Sequence, residues 1–197
     1  MTIKTKLVLL AAIPLAVVGT GVIATALTVN RTNKEIGVCK NQYAAEIELA
    51  RRMQLDVIQV QQFLTDYSAT RGQDGLDDGL GEAAKYHDDF LASLKNFRTI
   101  ATASQKDDGA NELDRLTSAF EAYWITGNQM AQAYAKDGTT AGNKMMPALD
   151  SAADHLSEQL DPLIKAQSEA FDNSLASVQT ASVAISRTIA IAPWARA

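Results

Sequence analysis

The segment Leu113-Asp114-Arg115-Leu116-Thr117-Ser118-Ala119-Phe120-Glu121-Ala122-Tyr123-Trp124-Ile125-Thr126-Gly127-Asn128-Gln129-Met130-Ala131-Gln132-Ala133-Tyr134 decides the fold. Its stripe of Leu113, Leu116, Phe120, Tyr123, Gly127, Met130 and Tyr134 alternates steps of three and four without a slip. That is the period of one face of an α-helix, whereas a strand would alternate every second residue. The positions between are mostly polar, so the segment buries one face and wets the other.

Three more stripes flank it. Leu49, Met53, Val57, Val60, Leu64 and Tyr67 precede it, as do Ala83, His87, Phe90, Leu94, Phe97 and Ala101, while Met146, Leu149, Ala153, Leu156, Leu160 and Leu163 follow. Gly- and Asp-rich punctuation separates them at residues 71–79, 106–109 and 136–142, the chemistry of helix ends and loops. No stretch alternates like a strand. The expected class is therefore all-α: four amphipathic helices with short connections, in an antiparallel up-down-up-down bundle with shallow left-handed crossings. Each fully buried Leu or Phe contributes about 1.5–3 kcal/mol, and roughly twenty of them offset much of the chain entropy without a metal or cofactor.

The outer helices read longer than the inner ones. The first is expected from about residue 30 to 70. The fourth is expected from about 144 towards 191, with Pro162 as a kink or interruption. Before them, residues 7–27 hold no charge, no Asn and no Gln. At about 1.5 Å per residue they span roughly 30 Å, the thickness of a bilayer hydrocarbon core. Length favours an uncleaved transmembrane anchor. The rival is a signal peptide, with Lys4 and Lys6 as its basic start and Ala24-Thr25-Ala26 as a small-residue cleavage site. Basic residues lie on both sides of the run, and a large following domain is exported largely regardless of charge, so the expected topology is N-terminus in and domain out. The parts are then an anchor at residues 1–29, a bundle at 30–184, and at 185–197 the first turns of a second membrane segment. There Arg187 is placed at the lipid headgroups, and Pro193-Trp194-Ala195-Arg196-Ala197 closes the chain.

The net charge of −5 and the absence of a basic stripe argue against nucleic acid. Cys39 is the one cysteine. It is either a free thiol or a dimer contact, pairing with Cys39 of a second copy across a symmetry axis. Enzyme motifs are missing. Two histidines, His87 and His155, do not make Glu-x-x-His repeats, and no haem, zinc, phosphate-loop or nucleophile-elbow pattern occurs. The chain reads as a non-enzyme without metal or cofactor. His87 lies on an apolar stripe and reads as a satisfied core or interface residue. Tyr67 and Tyr123 fit core stripes, although they can also line a pocket. Trp124 sits one step off its stripe, as a helix edge, a dimer contact or a ligand wall. Asp74, Asp77 and Asp78 lack the EF-hand spacing and read as solvated cap residues. Arg71, closing the first helix, reads as a favourable charge at a helix C-terminus.

This layout, together with residues 57–72 (Val57-Ile58-Gln59-Val60-Gln61-Gln62-Phe63-Leu64-Thr65-Asp66-Tyr67-Ser68-Ala69-Thr70-Arg71-Gly72) and Asp74-Gly75-Leu76-Asp77-Asp78-Gly79 after them, resembles the N-terminal part of bacterial methyl-accepting chemotaxis proteins. The Ser186-Arg187-Thr188-Ile189 segment is similar too. The resemblance implies a dimeric sensor domain in the periplasm, held in the inner membrane, that binds a small solute and relays it by a helix shift. It implies Arg51 and Arg52 as ligand-binding residues, because guanidinium groups grip carboxylates in two-pronged fashion. Read from the residues alone, the same pair is a solvated face or an intersubunit salt bridge. The HAMP module and signalling helices of the family do not follow, so the expected chain is a truncated receptor or an accessory fragment. The rival reading is a structural bundle that pairs with partner proteins or intact receptors.

Overall fold

The three-four stripes become helices in the structure, a computed structural model. It describes residues 2–73, 75–103 and 110–190, with side chains except at 6–9, 11, 13, 14, 17, 18 and 188–190. The elements are α1 (Ile3–Val38), a π-helical turn (Cys39–Tyr43), α2 (Ala44–Thr70), α3 (Gly79–Ala103), α4 (Ala110–Asp137), α5 (Thr139–Asn143) and α6 (Met146–Ala190). The class is all-α, with no strand among the described residues. The expected break at 106–109 and the closing residues 193–197 lie outside the described residues.

Three expectations change. The first helix does not run unbroken from 30 to 70: the π turn divides it at Cys39–Tyr43. Residues 136–142 are not a plain loop, since α4 reaches Asp137 and Thr139–Asn143 forms a short helix after Gly138. Pro162 does not divide α6, which continues through it to Ala190.

Contacts divide the chain into two units, Met1–Asn41 with Asp172–Ala197, and Gln42–Phe171. In the first unit, Ile3, Leu10, Leu15, Val22, Ile23 and Leu27 of α1 are exposed. The hydroxyls of Thr25, Thr28 and Thr32 donate to the carbonyls of Gly21, Ala24 and Thr28 at 2.8–3.0 Å. Each is thus satisfied by its own helix. Among the described residues no helix is long and apolar enough to cross a membrane.

The second unit holds the core. Met53, Val60 and Leu64 of α2, Phe90, Leu94 and Phe97 of α3, Leu116, Phe120 and Tyr123 of α4, and Leu156, Leu160 and Leu163 of α6 form one buried cluster. These are stripe residues, so burial of the periodic faces accounts for the packing. Two glycines let the helices approach. A Cβ on Gly127 would meet Leu64 Cδ1 at 2.6 Å and Leu149 Cδ1 at 3.3 Å. One on Gly79 would meet the Phe63 carbonyl oxygen and Tyr67 Cβ, both at 3.0 Å.

Candidate functional site

Helix α2 stops because Arg71 turns left-handed, with φ 57° and ψ 25°, and its N–H returns to the Tyr67 carbonyl. The Arg71 guanidinium donates to Thr139 Oγ1 at 2.9 Å. It therefore ties the α2–α3 turn to the start of α5, while Arg71 closes α2 as its C-cap. Gly79 then brings α3 against α2. Between them opens a cleft of about 300 Å³, lined by Phe63, Asp66, Tyr67, Thr70, Leu76 and Asp78 among others. Tyr67 is held here because Gly72, at φ +63°, leaves room for its ring. Phe63 stacks on Tyr86 of α3 with centroids 5.7 Å apart. The Asp66 and Asp78 side chains are exposed and meet no cation among the described residues. Of the Asp-rich loop, Asp78 lines this cleft, Asp77 is exposed beside it, and Asp74 lies outside the described residues.

Trp124 stands elsewhere. It is half-buried on α4, its ring 4.8 Å from that of His87 on α3. His87 also stacks on Phe120 at 5.5 Å. Its Nε2 lies 3.2 Å from Glu121 Oε1 and its Nδ1 3.1 Å from Asp88 Oδ1. With its side chain 14% exposed, this histidine has a carboxylate at each ring nitrogen and two aromatic rings stacked against it. It anchors α3 to α4. Tyr123 is fully buried, its hydroxyl has no partner among the described residues, and burial pushes its phenol well above the usual range.

Arg51 and Arg52 lie exposed on α2. Arg52 Nε donates to Glu48 Oε1 at 3.1 Å, one turn back. Arg51 forms no ion pair among the described residues. The pair is some sixteen positions from Tyr67, about 24 Å along the helix at about 1.5 Å per residue, so the arginines and Tyr67 do not share a pocket. Cys39, in the π turn, is 8% exposed, so a disulfide to a second copy requires that turn to open first.

Two features escaped the sequence reading. Asp56, one step off its stripe, is buried on α2, and its carboxyl is lifted to about 6, first by burial, then by the Asp89 carboxylate, with Arg52 acting against both. Glu46 is fully buried and accepts a hydrogen bond from Gln42 Nε2 at 3.3 Å. Its place a heptad before Met53, itself a heptad before Val60, was the available signal. Among the described residues no group of His, Cys, Asp and Glu could hold a metal ion.

No family model, curated protein or solved structure matches this chain. The functional reading therefore rests on its own residues. They offer an open acidic and aromatic cleft, an anchored histidine, and a free arginine on an outer helix face. A second cleft of about 270 Å³ lies by Asp114, Arg115 and His155, but Asp114 is paired with Arg98 and His155 with Glu158.

Proposed function

We propose that the chain is a membrane-anchored sensory module of chemotaxis-receptor type, exposed to the periplasm, that binds a small solute and relays it through its long outer helices. The observation that carries this is the apolar circumference of α1. At about 100° per residue, Ile3, Leu10, Leu15, Val22, Ile23 and Leu27 point in all directions, and all are exposed. A helix apolar all round needs an apolar surrounding, and lipid supplies one. In the sequence, the uncharged run at residues 7–27, several of whose side chains lie outside the described residues, has the matching length. The threonine hydroxyls that return to their own helix are satisfied without water.

An antiparallel up-down-up-down bundle is the arrangement this reading uses. In its support, Phe63 packs on Tyr86 while Tyr67 packs on Gly79, so numbering runs oppositely along α2 and α3. His87 meets Glu121 and Arg98 meets Asp114, so it runs oppositely along α3 and α4. Gly127 lies by Leu149, and Asp114 and Arg115 lie by His155, which gives the same for α4 and α6. The helix that leaves the apolar run and the end of α6 belong to one unit. A ligand that favours one arrangement of the bundle would bias both. Catalysis and a cofactor are no part of this reading.

A second reading has its own observation. Leu55 and Ile58 are each 53% exposed on α2, one turn apart, with Arg51 on the same side. Such a patch suits pairing with a second copy, an intact receptor or another protein.

The test is twofold. Expressed in a bacterium, the full chain is expected in the membrane fraction after an alkaline wash, with the part after residue 30 open to external protease. Detergent-solubilised chain is then melted against a broad metabolite panel. A soluble chain overturns the anchor. A melting temperature that no metabolite moves overturns solute sensing and leaves the pairing reading.

A further inference from the structure

The α2–α3 cleft has a definite chemical character. Two carboxylates, Asp66 and Asp78, line it, and among the described residues no Lys, Arg or His does. The last turn of α2 lines it at Ala69 and Thr70 and the first residue of α3 lines it at Gly79, so the two helix-end dipoles oppose each other and the aspartates set the sign. The nearest arginine in sequence, Arg71, is turned away to Thr139. The remaining wall is aromatic and aliphatic: Phe63, Tyr67 and Leu76.

Aromatic faces beside carboxylates recognise alkylammonium ions: the rings attract the charge through their quadrupole and cover the methyl or methylene groups, while the carboxylates supply the counter-charge. An anionic solute is repelled by the same surface. The volume of about 300 Å³ is at the lower end of small-ligand pockets, which suits a compact ion.

We propose that the cleft between the end of α2 and the start of α3 binds a small alkylammonium ion. This rests on the sensory reading and names the class of solute, and it moves the site from the arginines of α2 to the far end of that helix.

The test is calorimetric titration of the detergent-solubilised full chain with tetramethylammonium chloride and with putrescine, against sodium chloride of equal ionic strength, and separately with sodium malate. The expected result is saturable binding of at least one of the two cations. The dissociation constant rises about tenfold or more in the Asp66→Asn/Asp78→Asn double variant, because a charge-assisted contact is lost. It rises also in Phe63→Leu, and it is unchanged in Arg51→Ala/Arg52→Ala. The two aspartates are exposed, so the double variant keeps its fold, as helical circular dichroism verifies. No heat with either cation, or binding indifferent to the aspartate and Phe63 changes, overturns the proposal. If malate binds and loses affinity in the arginine variant, the cation site is wrong and solute sensing stands. If none of these probes binds and no metabolite moves the melting temperature, both fall.

Discussion

Replacing Asp56 by Asn should make this protein more stable at pH 8 and leave it nearly unchanged at pH 4. Asp56 is 7% exposed on α2. Burial, and then the Asp89 carboxylate, lift its carboxyl from 3.8 to about 6 against the pull of Arg52. In the unfolded chain the acid ionises near its ordinary value. Between 3.8 and about 6 the folded chain therefore keeps a proton that the unfolded chain has released, and stability falls as the pH rises through that window. Above it the loss is complete. At about 1.4 kcal/mol per tenfold, the gap sets a ceiling of about 3 kcal/mol on the strain of the ionised fold, and solvent reaching the carboxyl screens part of it. Asn has nearly the same shape and no charge, so it relieves about 1–2 kcal/mol at pH 8 and nothing below 3.8, where the wild-type acid is protonated as well. Urea denaturation of the full chain in detergent, followed by helical circular dichroism at pH 4, 5, 6, 7 and 8, measures the difference between variant and wild type at each pH. Taking the difference cancels the other carboxylates. A variant that is no more stable than wild type at pH 8, or a gain of the same size at pH 4, refutes the reasoning. Asp89→Asn is the companion measurement, since it moves the window of Asp56 downward.

The stack of His87 on Trp124 is expected to show a coupling of about 0.5–1.5 kcal/mol in a double-mutant cycle with alanine at each position, read by denaturation; additive single changes would mean the rings merely adjoin. Gly127→Val should cost about 1–3 kcal/mol by overpacking, because even its Cβ falls 2.6 Å from Leu64 Cδ1. Gly127→Val/Leu64→Ala should recover part of that loss, and a failure to recover would place the strain elsewhere. The buried thiol of Cys39 should react with a maleimide far more slowly in the folded chain than in denaturant. Equal rates would show that the π turn opens readily.

The amount legible in the sequence varied by element. The stripe on α4 held up to its last residue: Leu113, Leu116, Phe120, Tyr123, Gly127 and Met130 are buried and Tyr134 is half-buried, because steps of three and four place residues on one face whatever the partner. The stripe on α6 held from Leu149 onward, but Met146 is exposed, since at the first residue of a helix the periodic face has no neighbouring turn to define it. The π turn left no trace. Thr32, Cys39, Glu46, Met53, Val60 and Tyr67 keep heptad spacing straight through it, and hydropathy reports spacing rather than hydrogen-bond pattern. The Arg71 bond to Thr139 joins residues far apart in the chain, which local chemistry at a helix end does not specify. The cleft was half visible. Tyr67 was read as able to line a pocket and Asp78 as a solvated cap, whereas the approach of α3 that sets Asp78 beside the α2 residues Phe63 and Asp66 depends on Gly79, a residue that reads as punctuation.

The π turn bears on how hybrids of this chain with other helical proteins are spliced. Its five residues advance less around the axis than five α-helical ones, because a π-helix packs more residues into each turn. A hybrid that passes into a foreign bundle before Val38 loses this angular lag, whereas one that passes after Ala44 keeps it. Two chimaeras with the same heptad register on paper would then present different sides of the grafted segment, by as much as about 100° if one residue's advance is involved. Choosing the junction thus fixes an azimuth that no alignment of apolar positions records.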